Sequence, residues 1–405
     1  MYSLILIVFV NFIGIGALIP VLPFTVIEEL GQSETVMTAL LASFSLAMFI
    51  SNPILGRASD YLGRKPVLVV SLFVNMLAHI WFAVSTDILS LFAARILAGL
   101  AAGNIGVIQA VITDNTAPED RAKSMGMLGA AIGAGFVLGP ALGGLLSGVG
   151  DGPVHQVPFL VAASFAFLAF CLALRLQPAS PRNSEASSGP VSALSPAILM
   201  RRPVMLFAAA FFCLNLSFSQ VEATHVLLLK DALGFRARQT GWVFVYIGVC
   251  IIIIQGGLIG RLVRRFGEMA VLSAGVILLC SGQIVTSVIT LPELMMEMLT
   301  LATVIGLTTA ICVGFALTNP SLSAASSHIA GEDERGGVLG VVQGCGSLGQ
   351  VLGLLLAGPF YQLGGASLSF GFGAVFSFSL LVLVLMIQRG GHGHKVAVSS
   401  GASHP

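Results

Sequence analysis

The chain is 405 residues long, 56% hydrophobic and only 9% charged, with a formal net charge of +1. A soluble domain carries roughly a quarter charged residues, so a water-covered surface is excluded. The near-neutral balance gives no electrostatic footprint for nucleic acid. Glycine, at 47 residues, is about twofold enriched over the roughly 7% of average chains, as expected where helices approach closely in lipid.

A membrane-spanning helix needs roughly 20 apolar residues. In chain order such stretches fall near 2–26, 36–56, 66–85, 88–112, 123–148, 157–175, 203–229, 240–260, 268–290, 295–318, 336–358 and 366–388. The reading is an all-α membrane protein of twelve transmembrane helices in two six-helix bundles. The first stretch has no basic leader and no small-residue cleavage site, so it is expected to be a retained span. The longest polar interruption is rich in Ser, Pro and Ala and reads as a flexible linker. The expected domains are an N-terminal bundle at 1–176, a cytoplasmic linker at 177–202, a C-terminal bundle at 203–388 and a disordered cytoplasmic tail at 389–405.

Lys and Arg accumulate in cytoplasmic loops. With both termini cytoplasmic, only Lys230, Arg236 and Arg238 fall outside, while Arg95 lies within a span. The expected location is therefore a cell (inner or plasma) membrane with both ends inside. The six cysteines all sit in apolar runs without metal-ligand spacing and read as small buried hydrophobes.

The second half repeats the first. Gly56-Arg57 and Gly63 after the second span return as Gly260-Arg261 and Gly267 after the eighth, offset by 204. Asp120-Arg121 with Gly126, Gly135, Gly139 and Gly144 returns as Glu334-Arg335 with Gly340, Gly349, Gly353 and Gly358, offset by 214. Two halves related in this way place a substrate site near the midplane, between them.

Particular residues name a family. Gly56-Arg-Ala-Ser-Asp60-Tyr-Leu-Gly63-Arg64-Lys65 resembles the loop 2–3 signature of the major facilitator superfamily, except that Tyr61 stands where a basic residue is usual. Gly126, Gly135, Gly139-Pro140 and Gly143-Gly144 match the spacing of its antiporter signature in the fifth span. Arg95-Ile-Leu-Ala-Gly99 resembles its intramembrane Arg motif, and Gly16-Ala-Leu-Ile-Pro20-Val-Leu-Pro23 the first-helix motif of its drug–proton exporters. The resemblance is to the drug–proton antiporter, tetracycline-efflux-like branch. It implies gating roles for Asp60, Gly63, Arg64, Lys65, Gly135, Gly139, Pro140, Gly143 and Gly144, and a cavity lined by spans 1, 4, 7 and 10.

Ionisable groups inside a bilayer are expensive and mark function by default. Arg95 and Glu222 are expected at similar depth in the outer half. Glu222 is the expected proton-coupling carboxylate. His225, three residues on, is expected to share its helical face and to relay the proton. Asn11, Arg95, Asn104, Gln109, Asn215 and Gln220 are expected to line the substrate cavity. Relatives of the tetracycline type carry an acid where Asn11 stands, and Asn cannot titrate, which places more weight on Glu222.

No nucleophile–base spacing, nucleotide loop or metal cluster appears in the sequence, so neither an enzyme nor a cofactor is expected. The expected function is proton-coupled export of small amphipathic organic molecules by a monomer in the bilayer. The alternatives are a uniporter or symporter for a nutrient or metal complex, and a non-transporting sensor or scaffold.

Overall fold

The structure is a computed structural model. It describes residues 2–114, 116, 121–149, 152–176, 201–291, 294, 300–327, 329 and 335–400, with no β-strand among them. The expected linker lies almost wholly outside the described residues.

The N-terminal half begins with α1, Tyr2–Gly16, which passes through a turn into a π-helical segment, Phe24–Glu29. Next come α2, Glu34–Leu62, and α3, Arg64–Val84. After them run α4, Ile88–Ala102; α5, Ile105–Asp114; α6, Arg121–Leu146; and α7, Gln156–Leu174. The C-terminal half opens with α8, Arg202–Leu233, and α9, Ala237–Ile253. A π turn at Ile254–Leu258 joins α9 to α10, Ile259–Phe266. The half is completed by α11, Glu268–Ile289; α12, Leu301–Ser327; and α13, Arg335–Ser400.

Local chemistry sets the helix ends. Ser33 caps α2 by accepting from the Val36 amide, and Asp87 caps α4 by accepting from Ser90. Gly234 ends α8 in the left-handed region, which only glycine enters cheaply. Gly63 joins α2 to α3 at φ 91°, ψ 149°, and Gly267 joins α10 to α11 at φ 84°, ψ 154°. The repeat legible in the sequence is thus a repeat of backbone geometry.

Among the described residues ten helical stretches are long and apolar enough to cross a membrane. The last, Val338–Arg389, folds back at Gly364 and Gly365, and the shorter apolar Leu4–Gly16 precedes the others. The folded stretch and the first helix are compatible with the twelve expected.

The fourth stretch runs over Ile88–Ile112 as expected, with a turn at Gly103-Asn104, where Gly103 lies against the Ser51–Asn52 backbone and Asn104 turns its amide onto Ser71. Two later boundaries differ from expectation. The tenth runs over Leu301–Ser327 rather than 295–318, because Thr318 and its neighbours continue the helix through Pro320. The last helix continues to Ser400, past the expected boundary at 388; extending an existing helix costs far less than nucleating one.

Within the halves, α1 packs on α6 and α7, and α3 on α4 and α7. Likewise α8 packs on α13, and α11 on α12 and α13. The halves meet along two seams, α6 against α9 and α2 against α13. Glycine makes both possible. Gly144 abuts Gly241 and the Ala237 carbonyl, while its repeat partner Gly358 abuts Glu34, Thr35 and Thr38. Gly135 and Gly139 seat α6 on α1, and their counterparts Gly349 and Gly353 seat α13 on α8. The two halves are therefore related by a pseudo-twofold arrangement of close helix contacts.

Candidate transport cavity and its gates

The two seams lie at one end of the molecule. There Thr35 donates to Gln362 at 2.7 Å, the Gly358 amide donates to Thr38 at 3.1 Å, and Lys230 pairs with Glu28 at 3.1 Å. Beneath these contacts Phe24 packs with Val226 and Ala237 of the other half, flanked by Val154 and Phe244. The opposite end carries the Gly63 turn, and a methyl group added at Gly129, Gly256 or Gly257 would meet nothing within 4 Å. The contacts between the halves named above seal the molecule at one end.

Helix α8 presents Phe212, Asn215, Phe218 and Glu222 as half-buried side chains between fully buried neighbours, which defines its cavity-facing stripe. Glu222 Oε2 accepts a hydrogen bond from Gln350 Nε2 of α13 at 3.4 Å. Phe218 stacks on Phe315 of α12, centroids 3.7 Å apart. Across the cleft Arg95 is 3% exposed, with its guanidinium 4.2 Å from the Phe44 ring centroid. Arg95 and Glu222 are near enough to interact electrostatically. The carboxylate is the more accessible charge. Among the described residues Arg95 Nε and one terminal nitrogen find no hydrogen-bond partner.

The other expected cavity residues distribute differently. His225 is buried and meets Thr308 of α12 at 3.3 Å, inside the C-terminal bundle, so it does not join Glu222 in a pair. Three residues along a helix turn about 300°, and the 60° left over is enough to point one side chain into the cleft and the other into the bundle. Asn11 is 2% exposed and accepts from Asn75 at 2.7 Å. Asn104 is fully buried on Ser71. Gln220 donates to the Gly353 carbonyl and accepts from Ser369. These three tie helices together within their own halves and do not line the cleft. Asn215 is half-buried, its amide on the Phe211 carbonyl. Gln109 is exposed on α5.

The expected gating residues fall into two groups. Asp60 pairs with Arg64 at 2.7 Å, and Arg64 also donates to Ser59; this turn lies at the end opposite the seal, with Asp60 exposed and Lys65 half-buried beside it. On α6, Gly135, Gly139 and Gly143 pack against α1, Pro140 sits against Gly16, and Gly144 alone of this group reaches the other half. Sequence reasoning missed Phe44, Phe218 and Phe315. The spacing of Phe218, one helical turn before Glu222, was the available signal. It also missed the sealing contacts of Glu28, Thr35, Lys230 and Gln362, which carry no local signature.

Comparison with known proteins agrees with this architecture. The Major Facilitator Superfamily profile matches residues 4–314. The chain is 30% identical to "Multidrug resistance protein 1" of Bacillus subtilis over 364 residues, covering 88% of each chain. It is 31% identical to "Tetracycline resistance protein, class G" of Vibrio anguillarum, covering 67% of this chain and 69% of that one. Among solved structures, a bacterial homologue of the human lysosomal transporter Spinster, described as inward-facing and unoccupied, superposes with a TM-score of 0.76 at 14% identity, covering 96% of both chains. With that match across most of its length, and with the repeat-related glycine seams, this chain belongs to the Major Facilitator Superfamily of membrane transporters and is not an enzyme.

Proposed function

We propose that the chain is a secondary active exporter of small amphipathic organic molecules, working by alternating access and driven by protons. The observation that carries the reading is Glu222, a half-buried carboxylate held by Gln350 one helical turn from Phe218 and facing Arg95, between halves sealed together at one end. Such a cleft suits a largely apolar ligand with a few fixed polar contacts. The relatives named for multidrug and tetracycline resistance support export.

Positive charge around Arg57, Arg64 and Lys65 supports a cytoplasmic placement of the end opposite the seal. Both termini and the 177–202 linker are then cytoplasmic, twelve passes join two six-helix domains, and the described state faces inward. Glu222 carries the proton. Asn215, Phe218 and Arg95 shape the substrate side of the cleft. Asp60, Gly63, Arg64 and Lys65 close the end opposite the seal when the halves rock.

A second reading, uniport, is favoured by the neutral Asn11–Asn75 pair, which leaves the first half without a carboxylate in its core. Proteoliposomes separate the two. Substrate-dependent proton movement, abolished by Glu222→Gln, is expected for exchange. Substrate uptake indifferent to an imposed pH gradient overturns exchange.

A further inference from the structure

We propose that His155 is a second proton-binding site, placed at the sealed end, and that a proton taken up there loosens the seal between the halves. His155 precedes α7 and is 2% exposed. Its Nε2 lies 3.1 Å from the Ser85 carbonyl, and its Nδ1 lies 3.3 Å from the Thr25 hydroxyl and 3.7 Å from Glu29 Oε2. Neutral imidazole satisfies all of this with Nε2–H donating to Ser85 and Nδ1 accepting from Thr25. A proton arriving from water at Nδ1 removes that acceptor. The Thr25 hydroxyl must then turn, and the new N–H faces Glu29.

Thr25 and Glu29 belong to the π-helical segment that seals the cleft. Phe24, beside Thr25, packs on Val226 and Ala237 of the other half, and Val154, beside His155, flanks the same cluster. Glu28, beside Glu29, holds Lys230 of the other half. Parting the halves therefore uncovers the residues on either side of the ring and lets water reach it. Phe82 meets the imidazole edge-on at 5.6 Å. Asp87, two residues beyond Ser85, is occupied in capping α4. Among the described residues Glu29 is the charged group that faces the ring, its other carboxylate oxygen accepting from the Val154 amide at 2.7 Å, with the Glu28–Lys230 pair and Asp231 further along the seam.

The direction of the effect follows from linkage. Burial lowers the His155 pKa below its ordinary value, and Glu29 offsets this only in part. A wetted ring recovers the ordinary value of about 6.5. The open form then binds the proton more tightly, so acid favours opening. The effect is absent well above the ordinary pKa and grows as pH falls through it, by at most about tenfold in the open-to-sealed ratio per pH unit for one proton. In an exporter whose outer medium is acidic, this would couple external protons to outward opening. That link rests on the orientation proposed above, whereas the response of the seal does not.

The test uses the full chain in lipid nanodiscs without substrate. Cysteines at Val149 and Gln239, both exposed at the sealed end, carry spin labels in a background lacking the native thiols. Double electron–electron resonance reads the separation between about pH 8 and pH 5. The long-distance population is expected to rise on acidification, to stay flat in His155→Gln, and to rise further in Glu29→Gln, which removes the group that steadies the cation in the sealed form. Glu222→Gln is expected to keep the response. A flat wild-type profile, or a wild-type profile retained in His155→Gln, overturns the proposal. Should His155→Gln fail to fold, an unchanged profile in Glu29→Gln overturns it instead. Loss of proton-coupled transport with an intact acid response would sink the export reading alone.

Discussion

Gly144 of α6 and Gly241 of α9 meet backbone to backbone across the two halves, so closely that a β-carbon on either would strike the other. The side chain that is missing at each position is what allows the cleft to be sealed there. Gly144→Val should therefore penalise the sealed state by about 1–3 kcal/mol, the usual cost of overpacking. Every 1.4 kcal/mol is about tenfold, so opening at this end should rise roughly fivefold to a hundredfold. Gly358→Val, at the repeat-related position, should act in the same direction. Alkylation of a cysteine placed between the halves, by a reagent added from the side of the sealed end, measures both. Unchanged labelling in both variants would remove the glycine seams as the gate.

The Asn11–Asn75 pair makes a different kind of prediction. Asn75→Leu strands the Asn11 carbonyl oxygen in the bundle, and a buried unsatisfied group costs about 1–3 kcal/mol. Replacing both residues by Leu removes the orphan and should recover most of that loss. Thermal unfolding of the two single variants and the double variant in detergent gives the cycle. Additive losses would show that the two side chains act independently.

At the cavity, Gln350→Leu should weaken transport without abolishing it. The bond to Glu222 is long, at 3.4 Å, and a net value of about 0.5–1.5 kcal/mol corresponds to a loss of roughly twofold to tenfold. Phe44→Leu removes the ring under Arg95 and should cost about 0.5–2 kcal/mol of cation–π interaction, read as a lower melting temperature. A Gln350→Leu protein as inactive as Glu222→Gln would mean that Gln350 contacts substrate or proton directly.

The Glu28–Lys230 pair should matter little singly. Its side chains are 50% and 24% exposed, and exposed pairs contribute about 0–1 kcal/mol. Lys230→Glu should raise opening at the sealed end at most about fivefold, and adding Glu28→Lys should reverse that change. The spin-label distance described above reads both. A larger effect would point to Lys230 as part of the substrate exit.

What the sequence disclosed and what it hid divide along a physical line. The turn at Gly63 and its copy at Gly267 were legible because positive φ is a local demand that glycine announces. The stripe from Gly135 to Gly144 was legible because close helix packing leaves a fixed spacing. Glu222 stood out because a carboxylate in an apolar run has few explanations. Asn11, Asn104 and Gln220 were misplaced for the opposite reason. An amide within a span serves equally to tie helices or to meet a ligand, and its direction depends on which neighbour lies opposite. The sealing contacts join residues such as Thr35 and Gln362, more than three hundred positions apart, where no periodicity connects them.

The seams also bear on how the protein moves. Contacts between bare backbones have no long side chains to stretch and follow a widening gap, and a gap of about 0.5–1 Å already forfeits about a quarter to a half of the dispersion between such surfaces. A half-parted seam loses attraction while admitting too little water to replace it. Intermediate openings of such a seam are therefore poor places to rest.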